Sequence, residues 1–289
     1  MSETIENNAS TDASAESSPV AGPVRRPRRG NLGVVLPPIF VGGLIVGVWY
    51  FVSYVLLDPD RRFLLKPPHE VWQVGFADGE NLRYMLDALW VTAQVAFWGL
   101  LAAIALGFLL AIVMSQSKLI ERAVFPYAVV LQAIPILAIV PLIGFWFGYG
   151  FSSRVFVCII IALFPIIVNT LFGLVSADQG MHDLFTLHKA GRITRLRRLM
   201  FPAALPAIFA GLRISAGLSV IGAIVGDFFF GQGEVGLGQI LKRFAARLQG
   251  EQLLAAVIVS SALGVTVFLT FGWIANRVVG KWAAESRGG

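Results

Sequence analysis

The residues of this chain that could do chemistry are few and scattered. His182 and His188 are six positions apart, which is not a metal-ligand spacing, and Cys158 is the single cysteine. No carboxylate is placed to complete a Ser-His pair, and Asp227 and Glu234 alone do not make an acid–base or metal site. The sequence also has no phosphate-binding loop. We therefore expect no catalytic residues, no metal and no cofactor, and any nucleotide must be held by another chain.

The chemistry that the sequence does offer is a dense cationic segment, residues 183–206. Five basic residues fall within ten positions of it: Lys189, Arg192, Arg195, Arg197 and Arg198. Long apolar runs lie on both sides. Because a membrane interior does not tolerate that much charge, the segment must lie in water or at a headgroup surface.

The same segment carries a helical apolar pattern. If it forms a helix, one apolar stripe results, with Arg195 and Arg198 pointing away from it; its members are Ile193, Leu196, Leu199 and Met200. The pattern predicts a surface helix that presses against something. One alternative is a basic amphipathic segment lying on anionic lipid.

Composition places this segment in a membrane protein. The chain has 289 residues, of which 56% are hydrophobic and 14% are charged, whereas soluble domains carry about 25% charged residues. The net charge of +6 is typical of basic residues beside membrane spans. We expect no nucleic-acid partner.

Six apolar runs are long enough to cross a bilayer. They cover residues 36–57, 90–114, 123–147, 155–175, 203–230 and 253–275, and the third contains Pro126, Pro135 and Pro141. The sequence therefore predicts an all-α membrane protein with six transmembrane helices. We expect Arg213 to extend back toward the cytoplasm and Asp227 to lie at the outer boundary.

The distribution of positive charge predicts the orientation. Four arginines precede the first run, Arg25, Arg26, Arg28 and Arg29, and basic residues mark the cytoplasmic side of membrane proteins. Six spans place both termini on one side. Both termini and the cationic segment are therefore expected in the cytoplasm.

The cationic segment resembles the cytoplasmic EAA loop of permease subunits in bacterial ATP-binding-cassette importers. That loop reads Glu-Ala-Ala, three residues, Gly, nine residues, Ile-x-Leu-Pro. Aligned without gaps, Asp183 takes the Glu position, Lys189 the Gly position, Leu199 the Ile position and Pro202 the Pro position. Gly191, two positions after Lys189, is expected to supply the flexibility of the replaced glycine.

Three further segments extend this resemblance over about residues 64–282. They are PAALPAIFAGLRISAG, GEVGLGQI and LLKPPHEVW, and they are similar to the nitrate, sulfonate and taurine branch, which includes transporters of pyrimidine precursors. The resemblance implies a type I permease architecture in the bacterial inner membrane. It also implies cytoplasmic ATPase subunits, an external solute-binding protein and a second permease subunit as partners, beside membrane lipid. Because one chain offers one loop and two ATPase subunits need two, we expect a homodimer; a second, different permease subunit is the alternative.

The resemblance also assigns roles along the chain. Residues 1–30 would be a disordered cytoplasmic tail, 31–58 the first transmembrane helix, 59–88 an external segment, 89–276 the permease core with coupling loop 176–202, and 277–289 a second tail. The loop would dock on the ATPase through Asp183, Leu187, Lys189, Ala190, Gly191 and Arg192.

Polar side chains and helix breaks inside the spans are candidates for a translocation path. They are Gln132, Pro135, Asn169, Ser215 and Ser219. The alternative is that the Ser and Asn residues mediate close helix packing.

The function expected from the whole sequence is a permease subunit of an importer for a small solute such as a sulfonate, nitrate, taurine or a pyrimidine precursor. The chain itself would not be an enzyme. The competing interpretations are a passive channel, which would not need a basic docking loop, and an integral membrane enzyme acting on lipids, which would need convergent acid, base or metal-binding residues.

Overall fold

The computed structural model describes residues 32–285. This part of the chain contains eleven α-helices, several short π-helical and 3-10 turns, and no strands. The all-α prediction is confirmed. The expected tail at residues 1–30 lies outside the described residues. The helices are α1 Leu32–Phe51, α2 Pro68–Val71, α3 Gly79–Ser115, α4 Lys118–Ala133, α5 Ile136–Phe147, α6 Phe151–Val175, α7 Gln179–Leu187, α8 Arg192–Arg195, α9 Phe201–Phe229, α10 Leu237–Ala246 and α11 Gly250–Glu285.

The described residues divide into two units, residues 32–48 and residues 49–285. In the first unit the described residues form one helix, which contains Pro37 and Pro38. The second unit contains every later helix and all of the buried core.

Five helical stretches of the described chain are long and apolar enough to cross a membrane: Leu36–Leu56, Gly79–Ser115, Phe151–Val175, Arg192–Phe229 and Gly250–Val279. A sixth crossing is formed if α4 and α5 count as one broken span, since the two helices meet at an angle of 99°. The predicted six spans are therefore five continuous helices and one bent pair.

The bend in the third span has a local cause at Pro135. Ile134 has an extended backbone (ψ 126°), and so does Pro135 (ψ 107°). The ring of a proline disfavours the helical conformation in the residue before it. Pro126 and Pro141 lie inside α4 and α5 without breaking them.

The fifth span begins earlier than its apolar run. A π-helical turn, Leu196–Met200, joins α8 directly to α9, so the helix is continuous from Arg192 to Phe229. Leu199 and Met200 are buried, as the predicted apolar stripe requires, but Ile193 is exposed.

The core of the second unit is the contact between α6 and α9. A side chain at Gly222 of α9 would place its Cβ 2.8 Å from the Cα of Cys158, and one at Gly226 would place it 2.9 Å from the Cα of Arg154. Glycine therefore lets the two backbones touch. In a membrane such contacts replace the hydrophobic drive that holds soluble helices together.

We predict that Gly222→Ala destabilises the protein by about 1–3 kcal/mol, because the added methyl group meets the backbone of α6. The matched control is Gly217→Ala on the same helix, where the nearest atom to the new Cβ is 3.9 Å away. Thermal unfolding of both variants in detergent measures the difference. An equal melting temperature for the two variants would contradict the close packing of α6 on α9.

Candidate functional site

Residues 178–200, which contain the five basic residues of the cationic segment, form two short helices and a π-helical turn between α6 and α9, and we call them the coupling segment. Asp178 caps α7, its side chain accepting a hydrogen bond of 2.6 Å from the backbone N–H of Gly180. α7 ends at Leu187, and α8 begins at Arg192. The single surface helix expected from the sequence is thus divided in two.

The division occurs at Lys189, whose φ of 52° is in the left-handed region. The N–H of Lys189 donates to the carbonyl of Thr186, and the N–H of Ala190 donates to the carbonyl of Phe185, both at 2.9 Å. This pattern is the common C-terminal turn of a helix, which usually has glycine at the left-handed position. Lys189 stands where the EAA pattern has its glycine, so the backbone conformation fits that pattern although the residue does not.

Gly191 does not take over the role of the missing glycine. Its φ of −65° and ψ of 161° are an extended conformation that other residues adopt without strain. The expectation from the sequence was therefore wrong for this residue, because the turn is made two positions earlier.

A side-chain hydrogen bond ties the two short helices together. Arg195 Nη2 donates to Thr186 Oγ1 at 2.9 Å, and Thr186 Oγ1 donates in turn to the carbonyl of His182 at 2.8 Å. Arg195 is consequently half-buried, although the helical pattern predicted that it would point away. The bond links α7 to α8 directly.

The tip of the coupling segment exposes apolar surface. Leu187 is 80% exposed and Ile193 is 72% exposed. The predicted docking residues Asp183, Lys189, Gly191 and Arg192 are exposed as well, while Ala190 is half-buried. The coupling segment thus exposes both apolar and charged side chains, a composition suited to binding another protein.

The five path candidates lie in two places. Gln132 and Pro135 are exposed, at the break between α4 and α5. The other three lie in or beside the contact of α6 with α9: Asn169, Ser215 and Ser219. Their assignment to a path stays a prediction.

The side chains of Asn169, Ser215 and Ser219 each donate a hydrogen bond to a backbone carbonyl. Asn169 Nδ2 donates to the carbonyl of Pro165 at 2.8 Å. Ser215 Oγ donates across the interface to the carbonyl of Ala162 at 2.7 Å, and Ser219 Oγ donates within α9. Ser215 therefore joins α9 to α6, as polar residues in helix packing do.

Ser219 also lines a cavity of about 600 Å³ between α3, α9 and α11. Its walls are mostly apolar, and its other polar side chains are Gln94, Thr266 and Thr270.

Arg213 is exposed, and its guanidinium carbon lies 4.1 Å from the ring centre of Phe268 on α11. Contact with an aromatic face stabilises a guanidinium that belongs to an apolar, membrane-length helix. Arg213 therefore has a partner within the bundle.

The sequence missed a buried ion pair at the other end of α6 and α9. Arg154 Nη1 lies 3.2 Å from Asp227 Oδ1, and the two side chains are 2% and 0% exposed. We expected Asp227 at the outer boundary, and Arg154 lies just before the fourth apolar run, residues 155–175. The available signal was one charge of each sign near the ends of two neighbouring spans.

Metal chemistry has no support in the described part of the chain. Among residues 32–285, His, Cys, Asp and Glu do not form a group of three that could hold a metal ion.

Comparison with known proteins gives consistent results. The family model described as "Binding-protein-dependent transport system inner membrane component" matches residues 103–280. A probable ABC transporter permease protein of Haemophilus influenzae is 30% identical over 85% of this chain and 97% of its own. The formylaminopyrimidine transport permease protein of Halalkalibacterium halodurans is 33% identical over 83% of this chain and 93% of its own.

A solved structure has the same fold. The crystal structure of an amino acid ABC transporter with histidines aligns with a TM-score of 0.52 at 17% identity, over 69% of this chain and 94% of that one.

We predict that Lys189→Gly stabilises the turn between α7 and α8 by about 1 kcal/mol, because glycine lacks the Cβ that disfavours the left-handed conformation. Amide exchange of residues 186–192 should slow roughly fivefold, as local opening becomes rarer. Ala190→Gly, one position later, is the control and should speed exchange. Unchanged exchange in Lys189→Gly would show that position 189 is not strained.

Proposed function

The chain belongs to the family of binding-protein-dependent transport system inner membrane components, and from this premise we propose how its parts work. It is a permease subunit of an ATP-driven importer in a bacterial inner membrane, with ATPase and binding-protein partners, and it is not an enzyme. The passive channel and the lipid enzyme find no support among the relatives.

We propose that the coupling segment is the surface on which the ATPase subunit docks. The exposed Leu187 and Ile193 carry this proposal, since water-facing apolar side chains at a helix tip gain most from burial in a partner. The rim of Asp183, Lys189 and Arg192 would set the register of the contact. Ala190 and Gly191 lie between these groups and would complete it.

The position of the segment explains how docking would have an effect. α6 leads into the coupling segment and α9 leads out of it. A displacement of the docked segment would therefore move the two most closely packed helices of the bundle. Alternating access by relative motion of helices is the expected result.

The remaining assignments complete the proposal. Residues 59–88 would be external, and the coupling segment and both termini cytoplasmic, in line with the charge bias of the sequence. Two copies of the chain would surround one path, with Gln132, Pro135, Asn169, Ser215 and Ser219 as candidates for its lining. Lipid would cover the outer faces of the spans.

For the solute we propose a small anion or a flat heterocycle of the sulfonate, nitrate, taurine or pyrimidine-precursor type. Formylaminopyrimidine is the first compound to test, because a relative named for its transport shares 33% identity over 83% of this chain. Uptake of labelled formylaminopyrimidine by cells with and without the gene tests this choice.

We predict that Leu187→Ser and Arg192→Glu each weaken ATPase binding at least about tenfold, the equivalent of ~1.4 kcal/mol. The matched control is Leu119→Ser at the start of α4, which is 78% exposed. α3 and α6 run parallel, with Gly99 against Cys158 and Gly107 against Ile166, so Leu119 lies at the same end of the bundle as the coupling segment.

Co-purification of the ATPase with tagged permease measures this binding, and permease recovery from membranes reports insertion. Normal ATPase recovery with Leu187→Ser and Arg192→Glu would refute docking at the coupling segment. Equal loss with Leu119→Ser would show that any exposed leucine at this end has the same effect.

We predict that the assembled importer contains two copies of this chain. When permease chains with two different tags are expressed together with the ATPase, one complex should carry both tags, because two ATPase subunits need two coupling segments. Sequential purification on the two tags measures this. Complexes with only one copy of this chain would favour a second, different permease subunit.

A further inference from the structure

The ion pair of Arg154 and Asp227 is buried inside the described bundle and takes no part in the proposed docking. Its two side chains are almost fully buried. Removing two charges from water costs about as much as their attraction returns, so such a pair is weak evidence of added stability. Its contacts indicate a different role.

Arg154 binds a loop as well as a carboxylate. Its Nη1 donates to the carbonyl of Glu234 at 2.9 Å, and its Nη2 donates to the carbonyl of Gln232 at 2.8 Å. Both carbonyls belong to residues 231–236, which we call the α9–α10 loop. Since three of its six residues are glycine, the loop has little stiffness of its own, and Arg154 supplies partners for its backbone.

Asp227 holds the other end of the same loop through Thr92 of α3. Thr92 Oγ1 donates to Asp227 Oδ2 at 2.5 Å and accepts a hydrogen bond of 2.8 Å from the N–H of Leu237, the first residue of α10. The three side chains thus connect α3, α6 and α9 to the start of α10. We call Arg154, Asp227 and Thr92 the charged lock.

Glycines allow the loop to come this close. A Cβ at Gly236 would lie 2.6 Å from Asp227 Oδ1, and one at Gly238 would lie 2.8 Å from Asp227 Cβ. The GEVGLG sequence therefore has a packing reason: glycine at position 236 lets the chain pass over the carboxylate of Asp227, and glycine at position 238 lets it lie against the backbone of α9 at Ile224 and Phe228.

The charged lock lies far from the coupling segment on the same two helices. Arg154 is near the start of α6, and the coupling segment follows its end at Val175. At 1.5 Å per residue the two positions are about 32 Å apart. Between them, Gly211 packs against Asn169 and Gly222 against Cys158, so the two helices stay in backbone contact along their length.

We propose that Arg154, Asp227 and Thr92 are positioning residues that fix the α9–α10 loop on α6 and α9, so that the loop follows movements of the coupling segment at the opposite end. The loop exposes Gln232, Gly233 and Glu234 on the face where the external binding protein would arrive. The charged lock thereby links that face to the ATPase. This inference rests on the proposed docking of the coupling segment.

The experiment uses the full permease–ATPase complex in lipid nanodiscs, with and without a non-hydrolysable ATP analogue. Amide exchange of residues 230–238 is measured in both states. In the wild type, the analogue should change this exchange by at least about threefold, because the loop reports the state of the distant ATPase.

Two variants loosen the charged lock by small changes. Thr92→Val keeps the shape of the side chain but removes the hydroxyl, and Arg154→Lys keeps the charge but cannot reach both loop carbonyls and the carboxylate together. In both variants the amides of residues 230–238 should exchange faster than in the wild type, and the ATP analogue should no longer change their exchange rate. Thr92→Ser, which keeps the hydroxyl, should behave as the wild type.

The outcomes separate the two proposals. If the wild-type permease binds no ATPase, docking fails and this inference fails with it. If the ATPase binds but the analogue leaves residues 230–238 unchanged, only the inference is overturned. A nucleotide effect that persists in Thr92→Val also overturns it, even if Arg154→Lys does not assemble. Loss of the effect in Thr92→Val with retention in Thr92→Ser supports the charged lock.

Discussion

Close contact between the backbones of α6 and α9 is the constraint on which the rest of the second unit depends. Helices in a bilayer gain little from hiding apolar side chains from lipid, so their association depends on close van der Waals contact. Here Gly222 meets Cys158 and Gly226 meets Arg154. The coupling segment and the α9–α10 loop are both attached to this helix pair, and their positions follow from it.

The sequence was sufficient for the features that have a local cause. Apolar runs of sufficient length predicted the membrane helices, and the basic cluster marked the interruption between the fourth and fifth spans. The EAA alignment placed Lys189 at the glycine position, but the left-handed turn there was not predicted, because the flexibility was assigned to Gly191. Of the six docking residues named from the resemblance, five are exposed and Ala190 is half-buried, while the exposed Ile193 was not among them.

The features that the sequence did not predict depend on partners distant in the chain or on one proline among several. Arg154 and Asp227 are 73 positions apart, and nothing local distinguishes a paired charge from one facing water. Pro126, Pro135 and Pro141 lie in one apolar run, yet only Pro135 lies at a bend. The sequence of one chain does not show which proline lies beside groups that can satisfy the backbone atoms it frees, and so which proline can stay inside a helix.

The two ends of the α6–α9 pair use charge in opposite ways. At the coupling segment most of the cations are exposed, as are Leu187 and Ile193. At the other end the charges are buried, and their partners are already in place: a carboxylate, a hydroxyl and two carbonyls. Under the proposed coupling this asymmetry suits the two ends, because exposed groups at one end can form a contact with another protein while buried groups at the other end hold the loop to α6 and α9. A movement of the helix pair would then be passed to the loop through these bonds.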